Sequence, residues 1–249
     1  ANFNNGVSAQ AITASGVFKA NGGAVFNEDS ADVDFRVESN NLTSALFVDG
    51  ADGAVTIGGT LGVTGLLTAN GINYGKAFGT SSIMIGDSST GTINAANYNS
   101  GFGVDVFAAL TIGDYNTVFG YNTGTALTEG NQNTLIGGIA GDSLIDADYN
   151  VALGTGALAT DTYGSQSTAL GTNALANQNF TSAENTNNVA VGYNSLVNSQ
   201  TGTSNTAVGI YTLSVNIAKN YNTAVGKDAL RYFGDANANS DGWNTAVGA

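Results

Sequence analysis

The chain predicts an all-β protein: a parallel β-solenoid or β-roll of about ten 17-residue coils, preceded by a β-rich, fibre-like N-terminal segment, in an intertwined homotrimer. Three observations carry that expectation. A five-residue motif recurs ten times at near-constant spacing, the chain holds no Pro, and each copy has too few large apolar residues to close a core by itself.

The motif is Asn, a β-branched residue, a small residue, a larger apolar residue, then Gly. Clear copies are Asn116-Thr117-Val118-Phe119-Gly120, Asn150-Val151-Ala152-Leu153-Gly154, Asn222-Thr223-Ala224-Val225-Gly226 and Asn244-Thr245-Ala246-Val247-Gly248. Its closing glycines stand at positions 86, 103, 120, 137, 154, 171, 192, 209, 226 and 248, so every interval is 17 except 21 after Gly171 and 22 after Gly226. Residues 77–249 therefore form the repeat region.

Within one copy, the residues one and three before the Gly share a face at period two and the intervening Ala points the other way, as in a short β-strand. The Gly ends the strand at a tight corner. Four residues later a Leu recurs at Leu158, Leu175, Leu196, Leu213 and Leu230, which reads as a bend or second strand sending one apolar side chain inward. Stacking in parallel about 4.8 Å apart would turn these columns into ladders, with Asn bonding Asn at each strand start. Absence of Pro fits, because each coil must donate its N–H groups to the next.

Each coil has only about three larger apolar positions. The bulky strand face is therefore expected to line a shared core, and the Ala face to be covered by close approach of a neighbouring chain about a threefold axis. On that expectation Val225→Asp costs several kcal/mol and Asn222→Ala about 1 kcal/mol.

Residues 1–76 lie outside the 17-residue register. Val33-Asp34-Phe35-Arg36-Val37 and Ala45-Leu46-Phe47-Val48 alternate between Asn-Asn and Asp-Gly turns and predict short strands and hairpins. From Ala54 to Gly71, apolar pairs broken by Gly suit an extended strand wound with two partner chains.

Those residues carry a resemblance. Phe26-Asn27-Glu28-Asp29, Asp34 to Ser39, Ala45 to Gly50 and Val55-Thr56-Ile57-Gly58 resemble stretches of bacteriophage tail-fibre and appendage proteins. The Asn-Thr-Ala-Val-Gly-x-x-Ala-Leu copies resemble the same proteins and, more loosely, the repeats of trimeric autotransporter adhesin heads. The second resemblance implies a trimeric, left-handed parallel β-roll, although the adhesin repeat is shorter than 17 residues.

Composition removes most chemistry. With no Cys and no His, thiol and imidazole nucleophiles, disulfides and the usual zinc sites are excluded. Six basic residues against 19 acidic give a net charge of -13, so nucleic acid is not expected as a partner. No apolar run is long enough to cross a membrane as a helix, and residues 1–10 do not read as a signal peptide. The chain begins without Met and stops within a motif, so a longer parent chain is expected.

Asp142, Asp146, Asp148 and Asn150 have calcium-loop spacing at first sight, but Val151 stands where an EF-hand needs Gly and no Glu closes the loop. Glu184 and Asp235 lie in the two expanded connections, whereas a glycosidase pair needs two acids held roughly 5 to 9 Å apart in a cleft. Ice binding would need regular Thr columns, whereas Thr here alternates with Val. No catalytic, cofactor or metal residue is assigned and no enzyme is expected. Tyr193 and Tyr211 join the other connection aromatics as a sugar or chain-packing surface. Candidate receptor contacts are Phe180 and Glu184 in the first expansion and Tyr232, Phe233 and Trp243 in the second. The expected function is a structural subunit of a virion fibre or appendage, a tail fibre contributing to host attachment. The expected setting is the extracellular virion, and the partners are its own copies, other virion proteins and a host-cell receptor. The alternative is the head of a trimeric bacterial adhesin or another extracellular filament.

Overall fold

The computed structural model describes the backbone of the strands between residues 35 and 78, and residues 82–86, 95–233 and 242–249 in full. The chain divides into a unit spanning 1–64 and a second spanning 65–249. In the first, β1 (Phe35–Ser39), β2 (Leu42–Val48) and β3 (Val55–Thr56) form an antiparallel sheet with Phe35 opposite Val48 and Phe47 opposite Thr56. These are the short strands expected there; of the proposed shaft segment from Ala54 to Gly71, the described residues Val55–Thr56 and Thr68–Ala69 pair antiparallel with strands of their own chain, and the rest lies outside the described residues.

The second unit begins before residue 77, because β4 (Thr68–Ala69) and β5 (Ile72–Phe78) pair antiparallel and β5 adds to the first strand of the stack. That stack is the predicted solenoid. Its strands are β6 (Ser82–Gly86), β7 (Ser100–Gly103), β8 (Thr117–Phe119), β9 (Thr134–Ile136) and β10 (Val151–Leu153), then β12 (Thr168–Leu170), β14 (Val189–Val191), β15 (Thr206–Val208), β16 (Thr223–Val225) and β17 (Thr245–Val247). All ten run parallel in one sheet, with equivalent residues opposed: Val208 beside Val225, Ala207 beside Ala224. A second rung, β11 (Gly164–Ser165) against β13 (Glu184–Asn185), forms where the first expansion lies.

The corner glycine is required twice over. Its φ lies between +125° and +144°, and a Cβ added at Gly103 would lie 1.9 Å from the carbonyl oxygen of Gly120 in the next coil. The same collision recurs from Gly86 to Gly226. The residue four past the Gly is also left-handed, at φ near +50° even where it is Leu158, Leu175, Leu196, Leu213 or Leu230. Such a conformation costs a β-carbon-bearing residue on the order of 1 kcal/mol, so burial of the Leu must outweigh it.

One expectation about the strands is overturned. The Ala column, Ala152 to Ala224, is fully buried inside its own coil, whereas the bulky column one before the Gly faces outward: Phe119 is 51% exposed, Leu153 49% and Val225 37%. The physical reason is alternation. Asn at the strand start points inward to make its ladder, so the residue two later points inward as well, and the β-branched and bulky positions must point out. Inside, the coil is narrow. Ala152 and Leu158 belong to one fully buried cluster, and Leu135 shares its space with Gly141, whose added Cβ would sit 2.9 Å from a Leu135 methyl.

The Asn ladder is buried and runs from Asn99 to Asn150 and again from Asn188 to Asn222. Asn116 donates its side-chain amide to Asn99 Oδ1 at 3.0 Å and to the Gly130 carbonyl at 2.8 Å, and its own Oδ1 accepts from the Asn133 backbone and amide, both at 3.0 Å. A second ladder, unforeseen from sequence, runs two positions earlier: Asn97 N to Asp114 Oδ1 at 2.6 Å, Asp114 N to Asn131 Oδ1 at 2.8 Å, Asn131 N to Asp148 Oδ1 at 2.7 Å.

Candidate functional site

The calcium-like spacing dissolves in three dimensions. Asn150 is buried, donating to the Gly164 carbonyl at 2.9 Å while its Oδ1 accepts from the Ser167 backbone at 2.9 Å. Asp148 is a rung of the second ladder, and Asp142 belongs to the bend on another part of the coil. Its carboxyl is pushed above the usual carboxylate range by desolvation, which outweighs the hydrogen bonds from its own and the Ser143 backbone. Among the described residues no three acidic side chains converge as a metal site needs. Asp146, Asp148 and Glu184 do line one open depression of about 440 Å³ with Ser165, Ala183 and Asn185, so Glu184 lies near these two acids. Asp235 lies outside the described residues.

The first expansion is not a simple outward bulge. Gln178 is fully buried and Phe180 only 8% exposed, so Phe180 is unavailable as a receptor contact. The anchor is Asp161, fully buried, at a position where preceding coils carry Leu110, Leu127 and Leu144. Its Oδ1 accepts from the backbone N–H groups of Thr162 at 2.9 Å, Gly164 at 3.2 Å and Phe180 at 2.9 Å, and its Oδ2 from the Gln178 amide at 2.5 Å. Ser167 replaces the ladder Asn here, and the Gln178 amide takes over: it donates to Ser167 Oγ at 2.9 Å and accepts from Asn188 at 2.9 Å. Thr181 to Asn185, Glu184 among them, form its longest exposed run, with Asn177, Asn179 and Asn187 exposed singly beside it.

At the second expansion Tyr232 is exposed, Phe233 packs partly against the core, and residues 234–241 lie outside the described residues. Arg231 lies over the Tyr211 ring at 4.4 Å and the Tyr232 ring at 5.2 Å, and it bonds Asp228 at 2.8 Å. The Lys227 hydrogen bond holds the Asp228 carboxyl below its usual range. Trp243 stacks on Tyr221 at 4.4 Å. It belongs to a column preceding each ladder residue, with Tyr98, Tyr115 and Tyr149, in which every described member has a left-handed φ.

Among the described residues, the outward strand face is a surface feature that runs the length of the stack. Its column before the Gly reads Ile85, Phe102, Phe119, Ile136, Leu153, Leu170, Val191, Val208, Val225 and Val247, apolar in every coil, with Phe102 and Phe119 stacked at 4.8 Å. Near its start, Ile83, Ile85, Phe102 and Phe119 line an open groove of about 290 Å³. Beside it runs a column of Ser, Thr, Val and Ile. Contiguous apolar surface beyond a few hundred Å² marks an interaction site.

Comparison with protein-family models, curated proteins and solved structures found no match to this chain.

Proposed function

We propose that the chain is a structural, non-enzymatic subunit of a virion fibre or appendage, a tail fibre contributing to host attachment, built from three copies about a common axis. The observation that carries the reading is the outward apolar column, exposed at Phe102, Phe119, Leu153, Val208, Val225 and Val247 and half-buried at Ile85, Ile136, Leu170 and Val191. A ladder-built stack supports it: every coil is committed to its neighbours, which suits load-bearing and display. Attachment would use surface that stacking leaves free, namely Thr181 to Asn185, Tyr232 and Trp243, repeated three times for avidity. The head of a trimeric bacterial adhesin is the second reading, favoured by the Asn-Thr-Ala-Val-Gly copies.

Sedimentation equilibrium at micromolar concentration tests the assembly. Three times the 25.0 kDa chain mass is expected, and a folded monomer overturns the reading. Binding of labelled protein to a panel of bacterial cells tests attachment. Loss on replacing Thr181, Glu184, Tyr232 and Trp243 by Ala, with the trimer intact, places the contact in these segments; unchanged binding moves it elsewhere.

A further inference from the structure

We infer that the outward column meets the same column of parallel, in-register copies, and that the copies converge toward the C-terminal end of the stack. This rests on the three-copy reading above and adds to it the contact face, the orientation and a taper.

The occupant is argued from charge. A chain of net charge -13 repels its own copies, so self-contact is favoured only through an uncharged face. The two outward strand columns supply one: across ten strands neither the bulky column nor its Ser/Thr/Val/Ile neighbour contains a single Asp, Glu, Lys or Arg. A partner of opposite charge would gain nothing from a face so depleted. The ten apolar side chains offer on the order of 700 Å² per chain, close to the roughly 800 Å² per partner of a standard stable interface.

Orientation and taper follow from size. From Ile85 onward the column passes through Phe102 and Phe119, then Ile136, Leu153 and Leu170, and ends in Val191, Val208, Val225 and Val247. About an axis parallel to the stack, each level holds only identical residues. Three Phe side chains require the backbones to stand further from the axis than three Val side chains do. Close packing leaves no void at either end only if the copies lean together toward Val247. In an antiparallel pair Phe102 would instead face Val225 at an even separation.

The full chain has no cysteine, which makes the test direct. Phe102→Cys and Val225→Cys are prepared separately, with Leu153→Cys as a milder mid-stack variant. A disulfide forms only when Cα atoms lie within about 7 Å. Val225→Cys should oxidise to linked chains, Leu153→Cys less completely, and Phe102→Cys should link only through a longer bifunctional maleimide, each variant with itself. Linkage of Phe102→Cys to Val225→Cys only on mixing makes the contact antiparallel and overturns the proposal. Equal disulfide yield at all three sites removes the taper. A trimer that links at none of them uses another face, whereas a folded monomer overturns the three-copy reading itself.

Discussion

Phe107 occupies the space that Gly101 leaves empty: a Cβ placed on Gly101 would lie 2.8 Å from the Phe107 ring. The relation is general along the stack. The inward strand residue and the bend residue six positions later share one volume, as Gly101 with Phe107, Val118 with Gly124, Leu135 with Gly141, and Ala with Leu from Ala152 and Leu158 onward. Large meets small in the eight coils from Gly101 and Phe107 to Ala224 and Leu230, so the core is specified pair by pair.

That pairing predicts a double-mutant cycle. Ala190→Leu should overpack against Leu196 and cost on the order of 1–3 kcal/mol. Leu196→Gly should open a cavity costing roughly 2–5 kcal/mol, less the relief of its left-handed backbone. The double variant reproduces the Leu135 and Gly141 coil, so chemical denaturation should give a loss well below the sum of the two. Simple additivity would show that the two side chains do not share space.

Val225→Asp and Asn116→Ala should separate folding from association. Val225 faces outward, so its Asp variant should keep the fold by circular dichroism and fail to sediment as a trimer. Asn116→Ala removes two donated bonds and leaves the Asn133 N–H and Gly130 carbonyl without their partner, which should cost on the order of 2–3 kcal/mol within one chain. An unfolded Val225→Asp chain beside a fully stable Asn116→Ala chain would reverse the assignment of inside and outside.

Asp161→Ala should loosen the first expansion. Three backbone N–H groups and the Gln178 amide lose their acceptor in a buried site, an expected loss of about 3 kcal/mol. Hydrogen exchange should rise at Phe180 and Gly164 first. Unchanged protection at both would mean that the carboxylate does not hold the segment.

Asp142→Ala should stabilise the protein more at pH 7 than at pH 3.5. The Asp142 carboxyl is raised by burial, so the folded chain holds the proton more tightly than the unfolded chain does. Its contribution therefore falls as pH rises through the ordinary carboxylate value near 4, and the loss is complete above the folded value. Removing the group removes that loss, and the position is already Ala in the next two coils, at Ala159 and Ala176. A difference in melting temperature that does not grow with pH would assign the shift to another group.

The period of 17, the corner glycines and the Asn ladder were legible in the sequence because each coil repeats one local solution, and a column that recurs must stack on itself. Inside and outside follow from the Asn ladder: Asn116 and Val118 share the inward face, so Phe119 cannot face inward with them. Other features depended on the tertiary structure. Asp161 looks like a solvated loop acid in the sequence, and only the return of Gln178 and Phe180 across the insertion surrounds it with donors. Asp114 and Asp148 look like free charges until the neighbouring coil brings a backbone N–H onto each. Residues 17 or more positions apart become neighbours only when the chain has closed a full coil, and what a buried polar group bonds to is decided there.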